Sequence, residues 1–300
     1  MIGGLAAARG AQIEAAATVK GRSLWDDALR RLMRNRAAVG GMVVLAFLAL
    51  AAILGPHLTP HAYDAVDKAD VWSPPLTNGH LLGADALGRD LLARLLMGLR
   101  VSLAIGLVAT LVSLVIGVAW GAVAGYVGGR LDETMMRIVD VLYSLPFIFF
   151  VILLMVTFGS NIVLIFVAIG AVEWLTMSRI VRGQTLTLKH REFVEAARAA
   201  GLGPAGIIVR HIVPNLLGPV VVYVTLTIPA VILAESFLSF LGLGVQPPMA
   251  SLGSLIAGGA SDMELAPWLL VFPSIVMVVT LMAFNFIGDG LRDAIDPKDR

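Results

Sequence analysis

Six runs of apolar residues dominate this chain: Ala38–Leu58, Val101–Val123, Ile138–Phe158, Ile162–Met177, Leu216–Phe237 and Pro267–Gly288. A helix of about twenty apolar residues is what a bilayer core demands, because every backbone N–H and C=O inside it must be paired within the segment. The pattern therefore predicts an all-α membrane protein with six transmembrane helices. The fourth run is the shortest and contains Glu173. Hydrophobic residues make up 58% of the 300 and charged residues only 14%, a balance no ordinary soluble domain has. With no cysteine, disulfides, Cys-ligated zinc, iron–sulfur clusters and thiol catalysis are excluded. A net charge of +1 argues against nucleic acid as a partner.

Lysine and arginine placement sets the orientation. With the N-terminus inside, eighteen of the twenty-two cations fall on the cytoplasmic side, and the outer four are Lys68, Arg89, Arg94 and Arg100. Both termini are expected in the cytoplasm. The outer arginines lie on an approach to the second span, where they can pair with Asp85 and Asp90. The N-tail, residues 1–37, has no apolar run of the kind a cleavable signal needs, so the first span is expected to act as an uncleaved insertion signal. Residues 1–20 are rich in Ala and Gly. A cap at Ser23 opens a helix over about 23–36 with Leu24, Trp25, Ala28, Leu29, Leu32 and Met33 as an apolar stripe, read as lying in the inner interface or as an extension of the first span. Residues 59–100 and 241–266 read as long outer loops, the latter Gly- and Pro-rich. Loops of that length are usually functional, and these are docking surfaces for an external partner. Residues 289–300 form a cytoplasmic tail.

Several chemistries are missing. The lysines are Lys20, Lys68, Lys189 and Lys298, and none stands in a phosphate-binding loop. No His-Glu-x-x-His or Gly-x-Ser-x-Gly occurs. His57 and His61 are separated by Pro60 at the end of a span, and a metal site there is not supported. A membrane enzyme has no nucleophile or metal constellation to use. Asp140, Glu173 and Glu235 fall within apolar runs, where burying a charge is expensive. Each either lines a polar path or hydrogen-bonds a neighbouring helix; Glu235 lies near the outer end of its span.

The segment 178–215 is the long cytoplasmic connection. Within it His190–Ala200 has strong helix propensity, and Phe193, Ala196, Ala197 and Ala200 recur at one-face spacing. Gly201 stops that helix, and Pro204 and Pro214 prevent easy continuation. A short alanine-rich knob of this kind, flanked by Glu195 and Arg198, suits a soluble motor that must grip a membrane protein. The alternative is a surface helix packed on the membrane. Glu195-Ala196-Ala197, then Gly201, then Pro214 resembles the Glu-Ala-Ala loop of ATP-binding-cassette importer permeases. His211 and Val213 stand where that pattern has Ile and Leu.

Further blocks are similar to the oligopeptide/dipeptide importer permeases, in particular their C-type subunit. They are Leu82-Gly83-Ala84-Asp85 with Gly88-Arg89-Asp90, Gly125-Tyr126-Val127-Gly128-Gly129, Phe237–Gly244 and Gly288–Pro297. The resemblance implies the type I importer permease fold, with residues 101–288 as its conserved transmembrane domain, in the inner membrane. It implies a homologous B-type permease, two cassette ATPases carrying ATP and magnesium, and a periplasmic peptide-binding protein, with no cofactor on this chain. It further implies that Phe193, Glu195, Ala196, Ala197, Arg198, Gly201 and Pro214 contact the ATPases. Peptides are the implied substrate, with dipeptides, nickel or other small solutes as the family's alternatives. An ion-coupled secondary transporter is the rival class. It would want paired breaks in related halves, for which Pro229 and Gly170 offer no matched pair.

Overall fold

A computed structural model describes residues 24–159 and 162–295. The expectations for residues 1–20, for Ser23 and for Asp296–Arg300 lie outside the described residues. Helix α1 is Leu24–Arg34, α2 Arg36–Leu58, α3 Leu91–Val127, α4 Gly129–Ser144, α5 Phe147–Phe158 and α6 Ile162–Leu188. They are followed by α7 Glu192–Ala199, α8 Pro204–Ile207, a π-helical turn Ile208–Ile212, α9 Val213–Phe240, α10 Leu252–Ser261 and α11 Trp268–Ile295. Among the described residues the only β pairing is two isolated bridges in the loop before α3. Five helical stretches are long and apolar enough to cross a membrane by themselves, and α4 with α5 makes a sixth if the bent pair counts as one crossing.

Where the observed elements depart from the expected runs, the cause is local chemistry. Helix α3 starts at Leu91, well before Val101, because the Asp90 carboxylate caps it by accepting the Ala93 N–H at 2.8 Å. The third run is broken in two. Leu145 precedes Pro146 and takes an extended conformation, φ −77°, ψ 129°, as residues before proline do. The two pieces meet at 84°. The long connection expected over 178–215 is mostly helix. Helix α6 runs on to Leu188, and the π turn joins α8 to α9. The outer stretch 241–266 contains the short helix α10, whose Ser251 cap and Ser254 hydroxyl bond each other's backbone N–H groups. Gly170 and Pro229 both lie inside unbroken helices. At the N-terminal end, Asn35 separates α1 from α2 by capping Ala37 and Ala38. The stripe on α1 divides: Leu32 is buried against Ala38 and Ala294, while Leu29 and Met33 face outward.

The most extensive helix pairing joins α3 to α6. Its cause is a row of glycines on α3, Gly117, Gly121 and Gly125, which lets the two backbones approach closely. A Cβ at Gly117 would lie 2.6 Å from the Met177 Cβ, one at Gly125 would lie 2.8 Å from the Thr185 Cβ, and one at Gly121 would overlap the Ser178 carbonyl. Helix α9 crosses the other side of α3, where Gly106 accepts Ile228 and Ile232. Helix α2 packs chiefly on α11 and, along Leu48, Ala52 and Gly55, on the start of α3. We expect Gly121→Val to destabilise the protein by about 1–3 kcal/mol as a forced overpacking. Gly183→Ala, where a Cβ meets nothing, should be near neutral. Thermal melting in detergent checks both, and equal melting points would refute the close-approach argument.

The end of the molecule where α3 begins carries a polar lobe from residues 59 to 90. His80 is its hub: Nδ1 lies 2.8 Å from Asp90 Oδ1 and Nε2 lies 3.3 Å from Asp70 Oδ2. The His61 ring packs beside it, centroid to centroid 4.7 Å. Burial alone would pull the imidazole pKa down, but the hydrogen bonds to Asp90 and Asp70 outweigh it, and the value is raised above the ordinary 6.5. Asp70 is held below its usual range, chiefly by the Asn78 hydrogen bond. Because the folded-state pKa of His80 is raised, its stabilisation is complete below pH 6.5 and is lost as the pH rises through the folded value. The stability difference between the natural chain and His80→Gln should therefore be widest in mild acid and should close on the alkaline side. A difference independent of pH would contradict the ionised pairing.

Candidate functional site

At the opposite end of the bundle, α6 stops at Leu188 and the chain turns into α7. Lys189 fixes the turn: its Nζ donates to the Gly125 carbonyl of α3 at 3.1 Å, a cation placed at a helix C-terminus. Glu192 and Glu195 occupy the first turn of α7 and Arg198 its last, both in the sense the helix dipole favours. The helix ends in a Schellman closure. Leu202 N–H donates to the Ala197 carbonyl at 3.1 Å and Gly201 N–H to the Arg198 carbonyl at 2.9 Å. Gly201 takes φ +84°, and a Cβ there would meet nothing within 4 Å. The glycine is required by its backbone angle, and crowding has no part in it.

One face of α7 is rooted in the chain. Val194 and Ala197 are buried in one apolar cluster with Ala122, Tyr126, Val181, Ile207, Ile212 and Leu216, which draws on α3, α6, α8, the π turn and α9. Arg198 adds a polar tie: Nε donates to the Tyr126 hydroxyl at 3.2 Å, and the guanidinium lies 5.2 Å from the centre of that ring. The opposite face is exposed and contains Glu192, Phe193, Glu195, Ala196, Ala199 and Ala200. Phe193 is 37% exposed. Pro214 is exposed in the first turn of α9.

This sorts the expected coupling residues into two groups. Phe193, Glu195 and Ala196 face away from the chain. Ala197, expected to share their face, is turned inward with Val194 into the apolar cluster. Val194 was not singled out in the sequence; Tyr126 stood only in a family block and Lys189 only among the lysines, neither with a part in the coupling segment. The i, i+3 pairing of Val194 with Ala197 was the available signal for the first, whereas nothing local marks Tyr126 or Lys189, which lie far away in the chain from what they touch.

The three intramembrane carboxylates do not come together. Asp140 is exposed on α4 and pairs with Arg179 of α6 at 2.8 Å. Nearer that end, Asp132 and Arg182 form a two-pronged pair at 2.5 and 2.6 Å that also ties α4 to α6. Glu235 is fully buried; its Oε1 accepts from Ser239 at 2.6 Å and from Ser251 at 2.7 Å. It joins α9 to the cap of α10, as the hydrogen-bonding alternative expected. Glu173 is half-buried on α6, with no hydrogen-bond partner among the described residues.

Membrane crossings packed through glycines, with a short helix rooted in them and presented at one end, define a multi-pass transport permease. The comparisons agree. A family model described as "binding-protein-dependent transport system inner membrane component" matches residues 117–300. A second, "N-terminal TM domain of oligopeptide transport permease C", matches 23–75. The chain belongs to this family of inner-membrane permeases. It is 59% identical to the oligopeptide transport system permease protein OppC of Escherichia coli (strain K12) over 94% of each chain. It is 46% identical to the dipeptide transport system permease protein DppC of Bacillus subtilis (strain 168), over 93% of this chain and 87% of that one. A solved structure of the MetNI methionine ABC transporter has the same fold, with a TM-score of 0.55 at 20% identity, covering 69% of this chain and 96% of that one. Gly201→Val should cost about 1–2 kcal/mol through the left-handed backbone angle. It should make the 192–202 segment the first site of proteolysis, whereas an unchanged digestion pattern would contradict the closure described.

Proposed function

We propose that this chain is one of two membrane-spanning subunits of an ATP-driven importer of oligopeptides. The observation that carries the proposal is the two-faced helix α7. One face is buried in an apolar cluster shared with α3, α6, α8 and α9, and the other presents Phe193, Glu195 and Ala196 outward. A push or pull on that outer face reaches α3 directly through Arg198 and Tyr126, and the other helices through the cluster in which Val194 and Ala197 sit. Shifting a two-state equilibrium from 1:99 to 99:1 takes about 5.5 kcal/mol. A rigid, multiply anchored helix transmits such a bias where a floppy loop would lose it.

In this proposal two cassette ATPases grip the outward face of α7 on the cytoplasmic side, with Gly201 and Pro214 bounding the grip. ATP and magnesium bind on those subunits, so this chain is non-catalytic and has no cofactor of its own. A homologous B-type permease completes the translocation path, and a periplasmic peptide-binding protein delivers the substrate to the opposite end. Both chain termini are cytoplasmic. The identity to oligopeptide permeases supports peptides as cargo, and the dipeptide permease relative makes dipeptides the second reading. The rival ion-coupled class gains nothing from the intramembrane carboxylates, two of which have partners within the chain. Phe193→Asp should abolish peptide uptake in a complemented strain while insertion and abundance stay normal. A bulky residue at Ala197 is a poorer test, because it would disturb the root as well as the grip. Full uptake by Phe193→Asp would sink the proposed coupling.

A further inference from the structure

Arg94 lies in the first turn of α3 and is 93% buried, with 7% of its surface exposed. Its Nε and Nη1 have no hydrogen-bond partner. The nearest acid, Asp85, is already taken. Asp85 Oδ1 accepts the Leu87 and Arg89 N–H groups at 2.9 and 3.0 Å, and Oδ2 accepts Arg89 Nε at 2.8 Å. Arg94 Nε is left 3.4 Å from Oδ2 without making a hydrogen bond. Buried guanidinium groups are ordinarily paired, so this one is short of an acceptor.

Arg94 lines a small recess between the start of α3, helix α10 and the start of α11, together with Asp85, Arg89, Gly258, Gly259 and Asp262. The recess measures about 100 Å³, room for a carboxylate and the atom that bears it, and far too little for a whole peptide. Gly258 is exposed at its edge, as is Ala86, so it opens at the polar-lobe end of the molecule. A planar guanidinium matches a carboxylate through two parallel N–H···O bonds. Asp262, half-exposed and without a side-chain hydrogen bond, lines the same recess and offers an acceptor there. A donor and an acceptor in one recess match the end of a peptide chain, whose carboxylate sits next to a main-chain N–H. An acidic side chain of a docking protein carries its carboxylate on CH₂ groups, farther from a main-chain N–H.

We propose that Arg94 and Asp262 form a subsite for the terminal carboxylate of the transported peptide. The proposal rests on the peptide-import reading above. The test uses the complete transporter in proteoliposomes, with its binding protein and ATP. Uptake of one peptide is measured as its free acid and as its C-terminal amide, for the natural chain, Arg94→Gln and Arg94→Lys. Failure of the natural chain to import either form would strike the import reading itself. Given import, Arg94→Gln should lower free-acid uptake about tenfold, the scale of one charge-assisted bond, and amide uptake less than about twofold. Arg94→Lys, which keeps the charge without the fork, should fall between on the free acid. Comparing each peptide with itself cancels the binding protein's own preference. Equal losses on both peptides would overturn the subsite: with weakened binding-protein affinity they would mark a docking contact, and with lowered melting temperature a structural role. No loss on either would overturn it as well.

Discussion

The close approach of α3 and α6 is the constraint from which the rest of the arrangement follows. Lipid offers no hydrophobic drive to bring two apolar helices together, so contact must come from dense packing, and Gly117, Gly121 and Gly125 provide it by removing side chains at the seam. Once the pair is set, Tyr126 and the Gly125 carbonyl stand beside the end of α6. Arg198 and Lys189 reach them there. The outward helix α7 therefore inherits its position from the glycine seam. The two ion pairs from α4, Asp132 with Arg182 and Asp140 with Arg179, fasten the bent α4–α5 pair to the same α6 backbone.

The two ends of the bundle use different chemistry. At the α7 end the fixing contacts are apolar burial and cations set against helix C-termini. At the other end they are carboxylates: Asp90 caps α3 and is itself held by His80, Asp85 gathers its own turn and Arg89, and buried Glu235 binds the cap of α10. Such an end can change its packing with protonation state or with an arriving ligand. In the proposed importer the α7 end would move as one piece with the helices it touches.

Much of this was legible in the sequence. Run lengths gave the all-helical membrane architecture, because the bilayer sets that length; five of the six expected crossings stand as single helical stretches, and the sixth depends on counting the bent α4–α5 pair as one. Glu195-Ala196-Ala197 with Gly201 marked α7 and its stop, because propensity and the left-handed glycine are local properties. Three features were missed. The early start of α3 depends on Asp90, whose capping role shows only when the polar lobe holds it. The break at Leu145–Pro146 had a local signal in Pro146, but reading the run as one span passed over it. The inward turn of Ala197 depends on which side of α7 meets the apolar cluster; the Val194–Ala197 spacing allowed it, but the Phe193–Ala196–Ala197–Ala200 spacing equally allowed the other face. For the carboxylates, the sequence flagged the expense of burial but not the partners, Arg179 above all, because these lie on another helix.

The central claim is that the outward face of α7 meets a soluble partner while its inward face does not. The chain has no cysteine, so a single thiol can be introduced at Ala196 or at Val194 and challenged with a short bifunctional cross-linker in membranes that contain the whole transporter. The account expects Ala196→Cys to join this chain to an ATP-binding subunit, with a yield that changes when ATP is added, and Val194→Cys to give no such product. Cross-linking from neither position, or equally from both, would contradict it.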